Sequence, residues 1–216
     1  MTTIAVFGAT GRTGIPLVKQ ALDQGYTVKA LVRNPSKMPI THKNLQLIVG
    51  DALDVSNVQQ TVHDTDGVVS CLGQNKTSDP DLQTKVTRLI VEAMKQVGIR
   101  RLVSLTGGVV GDPANDKPGF IDNLIVFIMK QMAGKGAKNE LMDGISHAEV
   151  VRNSGLEWTI VRAPLLTEAP AKGSYQVGHV GTVKGIKITR ADLADFMLKE
   201  FAKKKYVGKM PYVTNG

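Results

Sequence analysis

Ile4-Ala5-Val6-Phe7-Gly8-Ala9-Thr10-Gly11-Arg12-Thr13-Gly14 is a short apolar run followed by a turn carrying three glycines, and a helical pattern comes after it. A strand that enters a helix through such a turn brings backbone N–H groups and the positive helix end together, and side chains at the glycines would block an approaching pyrophosphate. The spacing is Gly-x-x-Gly-x-x-Gly, one residue wider than the Gly-x-Gly-x-x-Gly fingerprint. Its context is complete, because Leu17, Val18, Ala21 and Leu22 give the next helix an apolar side and Gly25 supplies a stop. The stretch predicts a dinucleotide site at Gly8, Gly11 and Gly14. A bare tight turn would need one glycine rather than three.

Outward from this turn, apolar strands alternate with amphipathic helices, the pattern of a parallel sheet covered on both faces. Strands are expected near Thr3 to Phe7, Thr27 to Val32, Leu45 to Val49, Gly67 to Ser70, Arg101 to Leu105 and Trp158 to Val161. Leu82, Val86, Leu89, Ile90, Ala93, Met94 and Val97 form a helical stripe, with Asp79 as its N-cap, Pro80 in the first turn and Gly98 as its stop. Thr189 and Asp192 resemble a capping box ahead of Leu193, Ala194, Met197, Leu198 and Phe201. Residues Gly107 to Gly119, rich in glycine, proline and aspartate, read as a long loop beyond a strand's C-terminal end. A second apolar helix, Phe120 to Met132, is either core or a cover for a pocket or a subunit contact. The fold class is α/β, a Rossmann-type doubly wound parallel sheet in a single domain. A small substrate-side portion is expected from about 107–135 and 163–189.

The chain has 216 residues, enough for one such domain with a good core. Its apolar runs are far too short to span a membrane, its start lacks the pattern of a secretory signal, and its single cysteine, Cys71, agrees with a reducing cytoplasm. The net charge of +8 raises the question of nucleic acid. Against that partner stand the 5% aromatic content and the absence of zinc-finger spacing. Lys203-Lys204-Lys205 and Arg100-Arg101 read as solvated cations near helix ends. No Gly-x-Ser-x-Gly elbow or zinc-spaced histidine pair is present, and Gly14 is followed by Ile15, so a P-loop is excluded.

An NAD-preferring chain carries an acid at the end of its second strand. Here the segment is Leu31-Val32-Arg33-Asn34-Pro35-Ser36-Lys37, and the Arg33 fork, with Lys37 as a second cation, suits a 2′-phosphate. The expected cofactor is NADP(H). Gly50-Asp51-Ala52, Ser70-Cys71-Leu72-Gly73 and Leu105-Thr106-Gly107 recur after successive strands and should line the same cleft. Asp51 can accept from the adenine amino group, and Gly73 lets backbone approach the ribose.

With Gly8 to Gly14, Arg33, Gly50-Asp51 and the late block Ser154 to Pro164, the chain resembles atypical short-chain dehydrogenases of the NAD(P)H-binding, NmrA-like group. It is most similar to the flavin reductase and biliverdin-IXβ reductase branch. The resemblance runs through Gly173-Ser174-Tyr175 and Ala191 to Leu198. It implies cofactor contacts at Thr10, Arg12, Thr13, Arg33, Asp51, Ala52, Leu72, Gly73, Thr106, Pro164 and Leu165, and hydride transfer to flavins or linear tetrapyrroles with little protein chemistry. Two positions depart from that branch: Gly107 stands for a serine and Leu165 for a histidine. The tyrosine-x-x-x-lysine pair of larger relatives is missing, since none of Tyr26, Tyr175, Tyr206 and Tyr212 has a lysine four residues on.

These readings give an NADPH-dependent oxidoreductase acting on a small planar or apolar substrate, with FMN or FAD as candidate acceptors and solvent supplying the proton. No catalytic residue is assigned. The histidines do not fill the missing acid–base role: His42 and His63 fall on surface segments, and His147, on the helix before Ser154, and His179, in a glycine-flanked loop, could at most approach a pocket. Cys71 reads as a small core residue rather than a redox thiol. The rival readings are a redox sensor that holds the cofactor without turnover, and an epimerase-like member. A monomer or homodimer, without nucleic acid, metal or membrane span, is expected in the cytoplasm.

Overall fold

Period-two alternation decides which side of the sheet each strand residue serves. In the computed structural model, which describes residues 1–73, 79–119, 127 and 135–216, β1 (Thr3–Phe7) turns Ile4 and Val6 to one core and Ala5 and Phe7 to another. Around it lie β2 (Thr27–Val32), β3 (Leu45–Val49), β4 (Gly67–Ser70), β5 (Arg101–Gly107) and β6 (Glu157–Ala163). They pair in parallel in the order β3-β2-β1-β4-β5-β6. The order reverses at β1 and β4, and a doubly wound sheet opens its ligand crevice at that point. This is a Rossmann-type α/β domain.

Later segments extend the sheet. β10 (Tyr212–Thr214) adds in parallel to β6, and β8 (Gln176–Gly178) closes the edge antiparallel to β10. β7 (Leu165–Thr167) and β9 (Lys187–Thr189) form a separate parallel pair. These four short strands were not anticipated, because three residues are too few to show a period. β5 and β6 also run past their expected ends, so the loop after β5 begins at Gly108.

Helices α1 (Gly14–Asp23) and α5 (Arg190–Lys203) cover the Val6 face. α2 (Val55–Val62), α3 (Leu82–Gln96) and α4 (Lys135–Arg152) cover the Phe7 face. Leu17, Val18, Ala21 and Leu22 are all buried, as their spacing requires. Gly25 and Gly98 take left-handed backbone at φ +83° and +73° and end α1 and α3. In each case the next amide reaches back five residues, Tyr26 N to Ala21 O at 3.0 Å and Ile99 N to Met94 O at 2.9 Å.

Three local expectations are corrected. Asp79 does not cap α3; it pairs with Lys85, and Asp81, which holds the cap position, also turns its carboxylate to Lys85 rather than to the helix amides. The cap comes from another helix: Asp143 of α4 accepts from Gln83 N and Thr84 N at 2.9 Å each. At α5, Thr189 accepts from Asp192 N at 3.0 Å, but Asp192 does not complete the box. Its carboxylate accepts from Thr189 Oγ1 at 2.8 Å rather than from Thr189 N, and also gathers the amides of Lys172 and Gly173 and the Asn215 side chain. Arg101 is not a solvated cation either. It opens β5, is buried, and binds Glu200 at 2.9 Å and Thr159 Oγ1 at 3.0 Å. Among the described residues no helix is long and apolar enough to cross a membrane. The apolar segment Phe120 to Met132 lies, Phe127 apart, outside the described residues.

A second buried pair braces the opposite edge of the sheet. Arg162 on β6 grips Asp116 in the loop after β5, at 2.5 Å and 2.7 Å, and also donates to Met210 O and Val110 O. Burial opposes ionisation of Asp116, but Arg162 and the amides of Asp112 and Val180 outweigh it and hold the carboxyl below its ordinary range. Removing one partner of such a pair leaves a buried charge uncompensated, so Arg162→Met should cost about 3–5 kcal/mol in urea unfolding at pH 7. The wild-type advantage is complete above the ordinary aspartate pKa of about 4 and shrinks as pH falls through the lowered native value.

Candidate dinucleotide site

The three glycines of the opening turn have different duties. Gly8 sits at φ +75°, and a Cβ there would lie 2.8 Å from the Cys71 carbonyl, where the turn crosses the end of β4. At Gly14 a Cβ would stand 2.1 Å from Gly8 O, so α1 can start this close to β1 only without a side chain. Gly11 is exposed; its amide closes the turn on Gly8 O at 3.0 Å, and that oxygen is the one atom a Cβ would crowd, at 3.1 Å. Two glycines thus serve the fold, and the third keeps an outward face low.

Above that face is the N-terminus of α1. Thr13 occupies the cap position with no side-chain cap bond, and the first turn holds no acid. By contrast, Asp54 caps α2 and Asp143 caps α3. Ile15 N is taken by Gly11 O at 2.9 Å and Pro16 has no N–H, so what α1 offers an anion is the Gly14 amide together with the positive helix end. The residues present fit a pyrophosphate.

The remaining strand ends open at the same edge. Arg33 and Lys37 are both exposed just beyond β2, Arg33 ahead of and Lys37 at the end of a 3₁₀ turn (Pro35–Lys37) that Asn34 caps through Ser36 N at 3.0 Å. Asp51 is exposed, with one carboxylate oxygen accepting from Leu53 N at 2.8 Å and the other open. Ala52 and Leu72 are half-buried, and Gly73 is exposed with nothing near a would-be Cβ. Leu105 and Thr106 are buried and Gly107 exposed. The hydroxyls of Thr106 and Ser70, at the ends of adjacent strands, have no hydrogen-bond partner among the described residues. Pro164 is half-buried and Leu165 is 62% exposed, carried on β7 beyond the end of β6. Thr10 is half-buried in the turn, Arg12 exposed and Thr13 buried.

Several residues that shape this edge were not among the sequence candidates. Gln83 sends its amide to Leu72 O at 3.1 Å and Leu105 O at 2.7 Å, tying together the ends of β4 and β5. Arg190 donates to Thr13 Oγ1 at 2.9 Å and to Glu168 at 2.8 Å. A polar residue at the start of an apolar stripe was the only signal for Gln83. For Arg190 there was none.

The histidines divide as expected for the surface pair and differently for the others. His42 and His63 are exposed. His147 does not reach a pocket: it is fully buried between Thr87 Oγ1 at 2.9 Å and Ser104 Oγ at 3.0 Å. Burial pushes its imidazole down to about 4, with Asp143 opposing. His179 follows β8 and brings Nδ1 to 3.8 Å from Asp112, beyond hydrogen-bond reach. Burial pushes the Cys71 thiol up to about 12, so it is no thiolate at neutral pH. Among the described residues no cluster of histidine, cysteine or carboxylate could hold a metal.

A family model described as NAD(P)H-binding matches residues 8–204. The chain belongs to this NAD(P)H-binding family. The chain is also similar to cinnamoyl-CoA reductase 1 of Petunia hybrida, 30% identical over 55% of this chain and 40% of the relative. The chain spans about 40% of the length of the curated relatives it first matches. Two solved structures share the fold. A wide-type short-chain dehydrogenase/reductase of Veillonella parvula in complex with NADP superposes at a TM-score of 0.79, with 16% identity, over 99% of this chain and 94% of its own. A Streptococcus pneumoniae protein provisionally described as an NADH-flavin reductase does so at 0.80, with 17% identity, over 100% of both.

For an NAD(P)H-binding domain built this way, Gly14→Ala should prevent the native fold. Gly11→Ala should leave the circular dichroism spectrum unchanged while weakening NADP(H) in a fluorescence titration. His147 gives a separate test. Its native pKa lies below the unfolded value, so stability is complete above about pH 6.5 and falls by roughly 3 kcal/mol as pH drops to about 4. In His147→Gln that slope of the urea midpoint against pH should flatten.

Proposed function

We propose that the protein is an NADPH-dependent oxidoreductase that passes hydride directly to a small planar acceptor, with free FMN or FAD the favoured substrates. This places it with the flavin reductase and biliverdin-IXβ reductase branch of atypical short-chain dehydrogenases. The glycine turn with Arg12 and Thr13 takes the pyrophosphate, Arg33 and Lys37 the 2′-phosphate, Asp51 and Ala52 the adenine, and Leu72 and Gly73 the ribose. Leu105, Thr106, Gly107, Pro164 and Leu165 form the nicotinamide end. The segments 107–135 and 163–189 form the substrate side.

The observation that carries this reading is the composition of the nicotinamide end: Gly107, Pro164 and an exposed Leu165 offer a low, apolar platform without an acid–base group of their own. The cofactor supplies the hydride when bound. A planar acceptor then needs stacking and distance, and water can deliver the proton. Alcohol–carbonyl chemistry is disfavoured by the missing tyrosine–lysine pair, and two of the tyrosines are engaged elsewhere. Tyr175 donates to Asp195 at 2.8 Å, and burial with that carboxylate holds its phenol well above the ordinary range. Tyr212 donates to Gly185 O at 3.3 Å.

The same platform favours one second reading, a sensor that binds the cofactor without turnover, since Gly107 and Leu165 replace the reductase branch's serine and histidine. NADPH mixed with FMN, FAD or a quinone and followed by nicotinamide absorbance separates the two: turnover supports the enzyme, and tight binding without turnover supports the sensor. Arg33→Ala should raise the Kd for NADPH about ten- to a hundredfold and leave NADH unchanged, as loss of a charge-assisted contact worth roughly 1.5–3 kcal/mol requires.

A further inference from the structure

We propose that Arg190 is a positioning residue for the cofactor pyrophosphate, acting through the hydroxyl of Thr13. The inference rests on the reading that the glycine turn holds the pyrophosphate, and it adds a residue from the far end of the chain. Arg190 opens α5, and its side chain is only 11% exposed. Its Nη1 donates to Thr13 Oγ1 at 2.9 Å, and its Nε to Glu168 Oε1 at 2.8 Å.

The consequence for Thr13 follows from hydroxyl chemistry. A threonine oxygen has lone pairs to accept with and a single proton to donate. Once Arg190 occupies the oxygen, the proton is what remains for an anion. Thr13 is also the cap residue of α1, yet its side chain makes no cap bond. Its hydroxyl is thus held by the arginine rather than by its own helix. At this helix end, where Ile15 N is bonded to Gly11 O and Pro16 has no N–H, an oriented O–H joins the Gly14 amide and the positive dipole, all of which favour a phosphate oxygen.

Glu168 fixes the other end of the guanidinium. It lies three residues past Leu165 on the same segment, and the exposed Arg12 reaches the same Glu168 oxygen at 3.5 Å. One planar group therefore joins the phosphate side of the cleft to the segment that carries the nicotinamide side, and two partners restrain its plane. A strut between α1 and α5 would not require it, because those helices already meet through Leu17, Val18, Leu193 and Met197 in the apolar core.

The test compares ligands that differ in the pyrophosphate. In equilibrium titrations on protein of wild-type circular dichroism, Arg190→Gln should raise the Kd for NADPH and for ADP about tenfold in parallel. The Kd for adenosine 2′-monophosphate, which meets the Arg33 end alone, should not change. Thr13→Val should reproduce the loss, Thr13→Ser should restore binding, and Thr13→Val with Arg190→Gln should be no weaker than Thr13→Val alone, because the arginine acts through the hydroxyl. Equal weakening of adenosine 2′-monophosphate, no weakening of ADP, or additive losses in the double variant would overturn the proposal. Should Arg190→Gln not fold, Arg190→Lys, which cannot serve Thr13 and Glu168 from one plane, carries the same comparison. Failure of the wild-type protein itself to bind ADP would instead remove the underlying pyrophosphate reading, and this proposal with it.

Discussion

The start of α1 lies so close to the end of β1 that the Gly8 carbonyl would sit 2.1 Å from any Cβ at Gly14. That contact sets where the helix begins and how it crosses the sheet. It turns the positive end of α1 to the crevice where the strand order reverses, and it brings Gly8 against Cys71 at the end of β4. Every strand end that follows inherits its distance from this helix. Two of the three glycines therefore answer to packing, while Gly11 lies exposed on the outer face of the turn.

Buried charge stabilises the two edges of the sheet in different ways. Arg101 and Glu200 close the edge away from the crevice, where β5 begins, and their partners are backbone carbonyls and Thr159. Arg162 and Asp116 hold the crevice side, tying the loop after β5 to β6 and, through Val180 N, to the segment after β8. Desolvating these ions is costly, and the full set of hydrogen bonds around each one offsets that cost. A loop anchored this way can frame a substrate side without belonging to a strand.

Near the cleft the same economy recurs with polar side chains. Gln83 spans the ends of β4 and β5, and Asp143 holds the helix that carries Gln83. Arg190 links the glycine turn to the segment bearing Leu165. Exposed residues at this edge are thus backed by buried ones that hold the backbone carrying them, the arrangement that preorganised sites depend on.

The positions of β1 to β6, the glycine turn, the stops at Gly25 and Gly98 and the cationic end of β2 were legible in the sequence. Each is written in neighbouring residues: alternation over four to seven positions, a left-handed glycine, or the residue type at a strand's end. What tertiary structure decided lies between residues far apart. Thr13 meets Arg190 across 177 positions, Arg101 meets Glu200 across 99, and Asp143 caps a helix some 60 positions earlier. Arg101 reads as a solvated cation and Asp79 as a cap until packing supplies other partners. Periodicity reports which face a side chain takes; which buried charge or hydroxyl it meets there depends on how separate elements close over the sheet.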